Sequence, residues 1–266
     1  MAFQHILLDE RDGVATLTIN RPQMLNALHV GVIEEMIDAV DQVRDGGSAR
    51  VLLMTGAGRG FSSGADLAGG GAGGGSRGSG AIDAGKVLET HFNPLLERLF
   101  ALPVPFVTAV NGPAAGAGCS FALAGDIVVA GRSAYFLQAF VNIGLIPDVG
   151  STWLLPRLAG RARAQAMMML GERIPATLAE EWGLIWKCVD DAELMPTATA
   201  IATKLANGPT RAYALIRQGI RGCLDSSLTE GLAIERQNQR HAGLTGDFVE
   251  GVSAFLQKRP ANFQGK

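Results

Sequence analysis

The stretch Phe106-Val107-Thr108-Ala109-Val110-Asn111-Gly112-Pro113-Ala114-Ala115-Gly116-Ala117-Gly118-Cys119-Ser120 decides the fold. It opens on a short apolar run rich in β-branched residues, which reads as a buried strand. Asn111, Gly112 and Pro113 then break the strand, and the small residues beyond Gly116 lead into a helical pattern. The same order occurs upstream, where residues 51–54 form an apolar strand that runs into Thr55 and Gly56. A glycine-containing loop follows, then a helical pattern over residues 87–100. Strand, glycine turn, loop and helix, repeated, define an α/β chain.

Working outward, residues 3–8 and Val14–Ile19 read as a hairpin about Asp12 and Gly13, closed off by Asn20, Arg21 and Pro22. Val30, Ile33, Ile37, Val40 and Val43 recur at helical spacing, with Glu34, Glu35, Asp38 and Asp41 opposite them, until Gly46 and Gly47 stop the pattern. Between Gly69 and Gly80, eight of twelve residues are glycine, which leaves little to bury and predicts a surface loop inserted in one domain. Beyond Pro196 the strand signal fades, and residues 200–205, 210–221, 228–241 and 248–257 read as helices. The division expected is a core over residues 1–195 and a helical region over 196–266.

Composition narrows the function. The 266 residues carry 23 Lys plus Arg against 25 Asp plus Glu, a net charge of -2, so no basic surface is available for nucleic acid. A hydrophobic share of 47% with 18% charged residues is that of a globular protein. Cys119, Cys188 and Cys223 lie too far apart for a disulfide framework or a CxxC zinc site, and no metal is expected. No apolar run reaches the ~20 residues that span a bilayer, and the amino-terminal residues lack the basic start and long apolar stretch of a signal peptide. A cytoplasmic protein without a membrane partner is the expectation.

Several motifs have two readings. Gly60-Phe61-Ser62-Ser63-Gly64 matches the serine elbow of hydrolases, but a chain with 35 glycines matches it cheaply, and none of the four histidines stands in a setting that marks it as a base. The run from Gly80 to Lys86 has phosphate-loop spacing but is followed by Val87 where Ser or Thr is needed for magnesium. Phe61 to Leu67 and Asn111 to Ser120 each follow a strand and lead toward a helix. Such places leave backbone N–H groups free for an anion, and two of them converging on one oxygen make an oxyanion hole. Asp148 stands in the apolar stretch Leu145 to Trp153, where burial raises a carboxyl pKa toward usable base strength. It can equally cap the helix that starts near Val149.

Together these segments resemble the enoyl-CoA hydratase/isomerase (crotonase) superfamily over nearly the whole chain. The matching motifs are Asn20-Arg21-Pro22, Leu25-Asn26-Ala27-Leu28, Phe61 to Leu67, Asn111 to Cys119, Gly125-Asp126-Ile127 and Gly144-Leu145-Ile146-Pro147. The resemblance implies a spiral of β-β-α units, a carboxy-terminal helical region used in trimer formation, and an acyl-CoA thioester as substrate. Coenzyme A is then part of the substrate, and no separate cofactor is implied. It further implies that the backbone N–H groups of Ala65 and Ala117 form the oxyanion hole, and that Met24, Ala27, Asp66, Leu67 and Lys258 face the CoA moiety. Classical hydratases of the family carry two glutamates where this chain has Ser120 and Phe140, while Asp148 matches the catalytic aspartate of isomerases in the family. The implied activity is isomerisation through an oxyanion-stabilised (di)enolate, of ring-epoxide phenylacetyl-CoA to oxepin-CoA or of 3-enoyl-CoA to 2-enoyl-CoA. The alternatives are a hydratase or fatty enoyl-CoA isomerase of the same family and a non-catalytic acyl-CoA-binding protein. A homotrimer or dimer of trimers is the implied assembly.

Overall fold

The computed structural model describes residues 3–67 and 83–266, so the glycine-rich loop expected over residues 69–80 lies outside the described residues. The strands are β1 (Ile6–Arg11), β2 (Val14–Ile19), β3 (Val51–Gly56), β4 (Phe106–Val110), β5 (Ala114–Ala115), β6 (Ile127–Gly131), β7 (Tyr135–Leu137), β8 (Ile174–Pro175) and β9 (Lys187–Val189). The helices are α1 (Val30–Gly46), α2 (Ala84–Val87), α3 (Asn93–Ala101), α4 (Ala117–Leu123), α5 (Ser151–Ala159), α6 (Arg161–Leu170), α7 (Ala176–Glu181), α8 (Leu194–Ala206), α9 (Thr210–Cys223), α10 (Leu228–Gly243) and α11 (Gly246–Gln257).

The expected hairpin is β1 and β2, paired antiparallel with Arg11 opposite Val14. Asp12 and Gly13 make the two-residue turn, both at positive φ, as a tight hairpin turn with the right twist demands. From β2 onward the six-stranded sheet is parallel, in the order β1-β2-β3-β4-β6-β9. Residues 51–54 and 106–110 read as unbroken apolar runs because both faces of these strands are covered. Leu52, Met54, Phe106 and Val110 enter one core with Ile33 and Met36 of α1 and Leu95 and Leu99 of α3. Val51, Leu53, Val107 and Ala109 enter a second core with Ala198, Ala202 and Ala206 of α8. Small residues on α8 let that helix lie close on the sheet. The helical stretch expected from residue 196 thus begins at Leu194 with a helix that packs on β3, β4 and β6.

Of the remaining carboxy-terminal helices, α9 is tied back by a buried arginine. Arg217 of α9 donates to the carbonyls of Leu99, Leu102 and Val104 and pairs with Asp126 at 2.6 Å. The Asp126 carboxylate also accepts from the Phe106 N–H at the start of β4. One cluster therefore satisfies the carbonyls at the end of α3 and fixes α9 to the strand that carries the central loop. Among the described residues no helix is long and apolar enough to cross a membrane.

Candidate active site

Two loops leave the carboxyl ends of the adjacent parallel strands β3 and β4, the place where open α/β sheets bind ligands. They are laced together by their backbones. Phe61 and Ser62 N–H both donate to Pro113 O at 3.1 Å, and Ala115 N–H donates to Ser62 O at 2.9 Å. Asn26, fully buried, donates from Nδ2 to the carbonyls of Ala57 and Gly60 and so holds the first loop from the other side. Gly64 is at φ 92° and Gly116 at φ 51°, backbone conformations that favour glycine. A Cβ on Gly64 would stand 2.7 Å from Ala115 O, so the close approach of the loops requires glycine there.

This crossing sets two N–H groups. Leu28 N–H donates to Gly64 O and Asp66 N–H to Leu28 O, which leaves the N–H of Ala65 between them without an acceptor among the described residues. Ala117 opens α4, where first-turn N–H groups have no intrahelical partner, and its N–H also has none among the described residues. Both residues line one cavity of about 200 Å³.

Asp148 lines the same cavity. It does not cap α5: the helix begins at Ser151 after Gly150, and no side chain caps it. Instead the Asp148 carbonyl accepts from Ser151 N–H at 3.0 Å, while its Oδ1 is buried with no partner. Val149, buried and β-branched, is held at φ 47°, a conformation that costs about 1–3 kcal/mol. Burial pushes the Asp148 carboxyl up to about 7, opposed only by a hydrogen bond to its own backbone. Among the described residues lining the cavity it alone is ionisable. The walls are Val87 of α2, Leu88 and Phe92 of the π-helical turn between α2 and α3, and Phe140, Ile143 and Leu145 ahead of Asp148.

The structure thus brings Ala65, Ala117, Asp148 and Leu67 to one cavity. Met24 is exposed, and its carbonyl accepts from the hydroxyl of Ser63 at the cavity rim. Ala27 and Asp66 are buried, the carbonyl of the one and the carboxylate of the other meeting the Arg21 guanidinium, the latter at 3.1 Å. Lys258 ends α11, which packs against α10, and it is not among the residues of the cavity. Ser62 of the serine-elbow match is fully buried and donates to Asn26 O, so it is a scaffold hydroxyl. Lys86 of the phosphate-loop match pairs with Glu89. The sequence reading did not single out Gln138 and Ser151, which pack with Ser120 behind Asp148, because short polar residues in loops carry no pattern of their own.

Comparison with known proteins agrees with this architecture. The family model described as enoyl-CoA hydratase/isomerase matches residues 9–266, and the chain belongs to that family, with its crotonase fold. A 1,2-epoxyphenylacetyl-CoA isomerase of Escherichia coli is 47% identical over 99% of each chain. A Rhodobacter capsulatus protein described as a "probable enoyl-CoA hydratase" is 41% identical over the full length of both. The crystal structure of an enoyl-CoA hydratase from Bacillus anthracis superposes with a TM-score of 0.92 at 31% identity, covering 99% of this chain and 100% of that one.

Proposed function

We propose that this chain is an acyl-CoA isomerase that works with one carboxylate base, Asp148, against an oxyanion hole made by the N–H groups of Ala65 and Ala117. The observation that carries this reading is the cavity itself: two backbone donors without acceptors among the described residues and one ionisable side chain share a mostly apolar space. The thioester oxygen accepts from the two N–H groups, Asp148 takes a proton from the acyl chain, and the (di)enolate is held while the proton returns to another carbon. With a 3-enoyl-CoA this moves the double bond into conjugation. With a ring epoxide of phenylacetyl-CoA the same electron shift opens the route to the oxepin, the chemistry suggested by the similarity to the 1,2-epoxyphenylacetyl-CoA isomerase. One backbone donor is worth about 3 kcal/mol in such a transition state.

Isomerisation is favoured over hydration by what stands beside Asp148. Hydration in the two-glutamate manner needs acids where this chain has Ser120, whose hydroxyl is bound to Ser151 and backbone carbonyls, and Phe140, an apolar wall. The acyl-CoA is the only small molecule the reading requires. Leu228, Leu244 and Phe255 on or beside α10 and α11 are each about four-fifths exposed, and an assembly of three copies, or two such trimers, is proposed to cover such surfaces. The test is a time course with 3-hexenoyl-CoA and with the ring epoxide of phenylacetyl-CoA, run beside 2-hexenoyl-CoA. Conversion of either of the first two without water addition to the third supports the reading, and a hydroxyacyl product from the third overturns it.

A further inference from the structure

Behind the Asp148 peptide lies a chain of hydroxyls that the reaction does not touch. Gln138 is fully buried, and its Nε2 lies 3.0 Å from Ser151 Oγ. Ser151 Oγ lies 2.6 Å from Ser120 Oγ, and Ser120 Oγ lies 3.2 Å from the Asp148 carbonyl and 3.3 Å from that of Gly116. Ser120 and Ser151 are both 1% exposed. An amide nitrogen only donates, so Ser151 accepts from Gln138; two carbonyls that can only accept stand beside Ser120, and the arrangement that serves them has Ser151 pass its own hydrogen to Ser120. The single hydrogen of Ser120 is then left for the two carbonyls. Each donation polarises the next, so the carbonyl at the end receives a strengthened bond.

The end of this chain is the turn that needs restraint. Val149 and Gly150 follow Asp148 at successive positive φ angles, and Val149 is β-branched. Such a turn persists only where its surroundings hold it. Ser120 also sits one turn along α4 from Ala117, so its hydroxyl ties the Asp148 peptide to the helix that presents one of the two unpaired N–H groups.

We propose that Ser120 is the positioning residue for Asp148: supplied through Gln138 and Ser151, its hydroxyl anchors the strained Asp148 turn to α4 and fixes the carboxylate relative to the Ala117 N–H. The inference rests on the reading of Asp148 as the base. It gives the residue at this position a role that involves no contact with substrate. No charged side chain faces Asp148 from α4, α5 or the cavity wall among the described residues, so its titration reports on its solvation and placement.

The test compares Ser120→Ala, Ser120→Cys and Asp148→Asn with the unaltered protein, using 3-hexenoyl-CoA and, beside it, the ring epoxide. Loosening a base by a fraction of an ångström in Ser120→Ala is expected to lower kcat about tenfold with KM changed less than about twofold. The acidic limb of the pH–rate profile is expected to move below about 7 as the freed carboxyl gains water. Ser120→Cys keeps the shape and a weaker donor and is expected to fall between, and it carries the same comparison if the alanine variant does not fold. A lowered Tm with kcat and the acidic limb unchanged overturns the positioning role. Full turnover by Asp148→Asn instead overturns the base reading itself, whatever Ser120 does.

Discussion

Replacing Asp148 with asparagine is expected to stabilise the fold at alkaline pH while stopping its chemistry. Burial raises this carboxyl from the ordinary 3.8 to about 7, so the folded chain keeps the proton to a higher pH than the unfolded chain does. The cost of holding an ionised Asp148 is absent below the ordinary carboxylate value, grows between that value and about 7, and is complete above it. At 1.36 kcal/mol per unit the full shift corresponds to about 4 kcal/mol, and the partial exposure of Asp148 reduces this to about 2 kcal/mol. Asparagine removes the charge and with it the cost. For a chain of this size about 2 kcal/mol corresponds to a rise in Tm of about 4–8 °C near pH 8, fading to nothing toward pH 4. Thermal unfolding of both proteins across that range, followed by circular dichroism, measures the difference. A variant no more stable than its parent at pH 8, or equally stabilised at both ends, refutes the reasoning.

Three further outcomes follow from the packing. Arg217→Met removes the donors of three buried carbonyls and the 2.6 Å partner of the part-exposed Asp126, and guanidinium unfolding is expected to show a loss of about 3 kcal/mol; a loss under about 1 kcal/mol contradicts the role given to this cluster. Gly64→Ala places a Cβ 2.7 Å from Ala115 O at a positive φ, which forces the two loops apart, so kcat is expected to fall more than KM rises while the circular dichroism spectrum is kept; parental kcat would show that the Ala65 N–H is not engaged. Cys119 is buried and its thiol is pushed up to about 12, so iodoacetamide is expected to label Cys188 and Cys223 first, with Cys119 reacting only on unfolding. Mass mapping of the labelled peptides checks that order.

Much of this was legible in the sequence because period and punctuation are local. The strands at residues 51–54 and 106–110 announced themselves as apolar runs, since helices cover both of their faces. Asp12-Gly13 and Gly46-Gly47 marked turns by backbone need. The two glycine-containing loops and the acid in an apolar stretch mark the candidate segments, but the choice of Ala65 and Ala117 within those loops comes from the family resemblance, and the meeting of both with Asp148 in one space depends on the pairing of β3 with β4, which no local pattern specifies. Asp148 as helix cap failed because Val149 and Gly150 take left-handed conformations and delay α5 to Ser151. Arg217 was invisible: on an amphipathic helix an arginine reads as solvated, and only the long-range approach of α9 to the end of α3 buries it. The hydroxyl chain behind Asp148 was equally hidden, being built from positions 120, 138 and 151 of three separate segments.

The measurement that tests the central claim most directly is single-turnover isomerisation of 3-hexenoyl-CoA in heavy water by the unaltered protein and by Asp148→Asn, read by the absorbance of the conjugated product and by mass. The account predicts conversion with deuterium incorporated into the acyl chain for the parent. For Asp148→Asn it predicts undiminished binding of the acyl-CoA and a rate lower by about 100-fold to 10,000-fold. Conversion by Asp148→Asn at the parent's rate, with the same deuterium uptake, contradicts it.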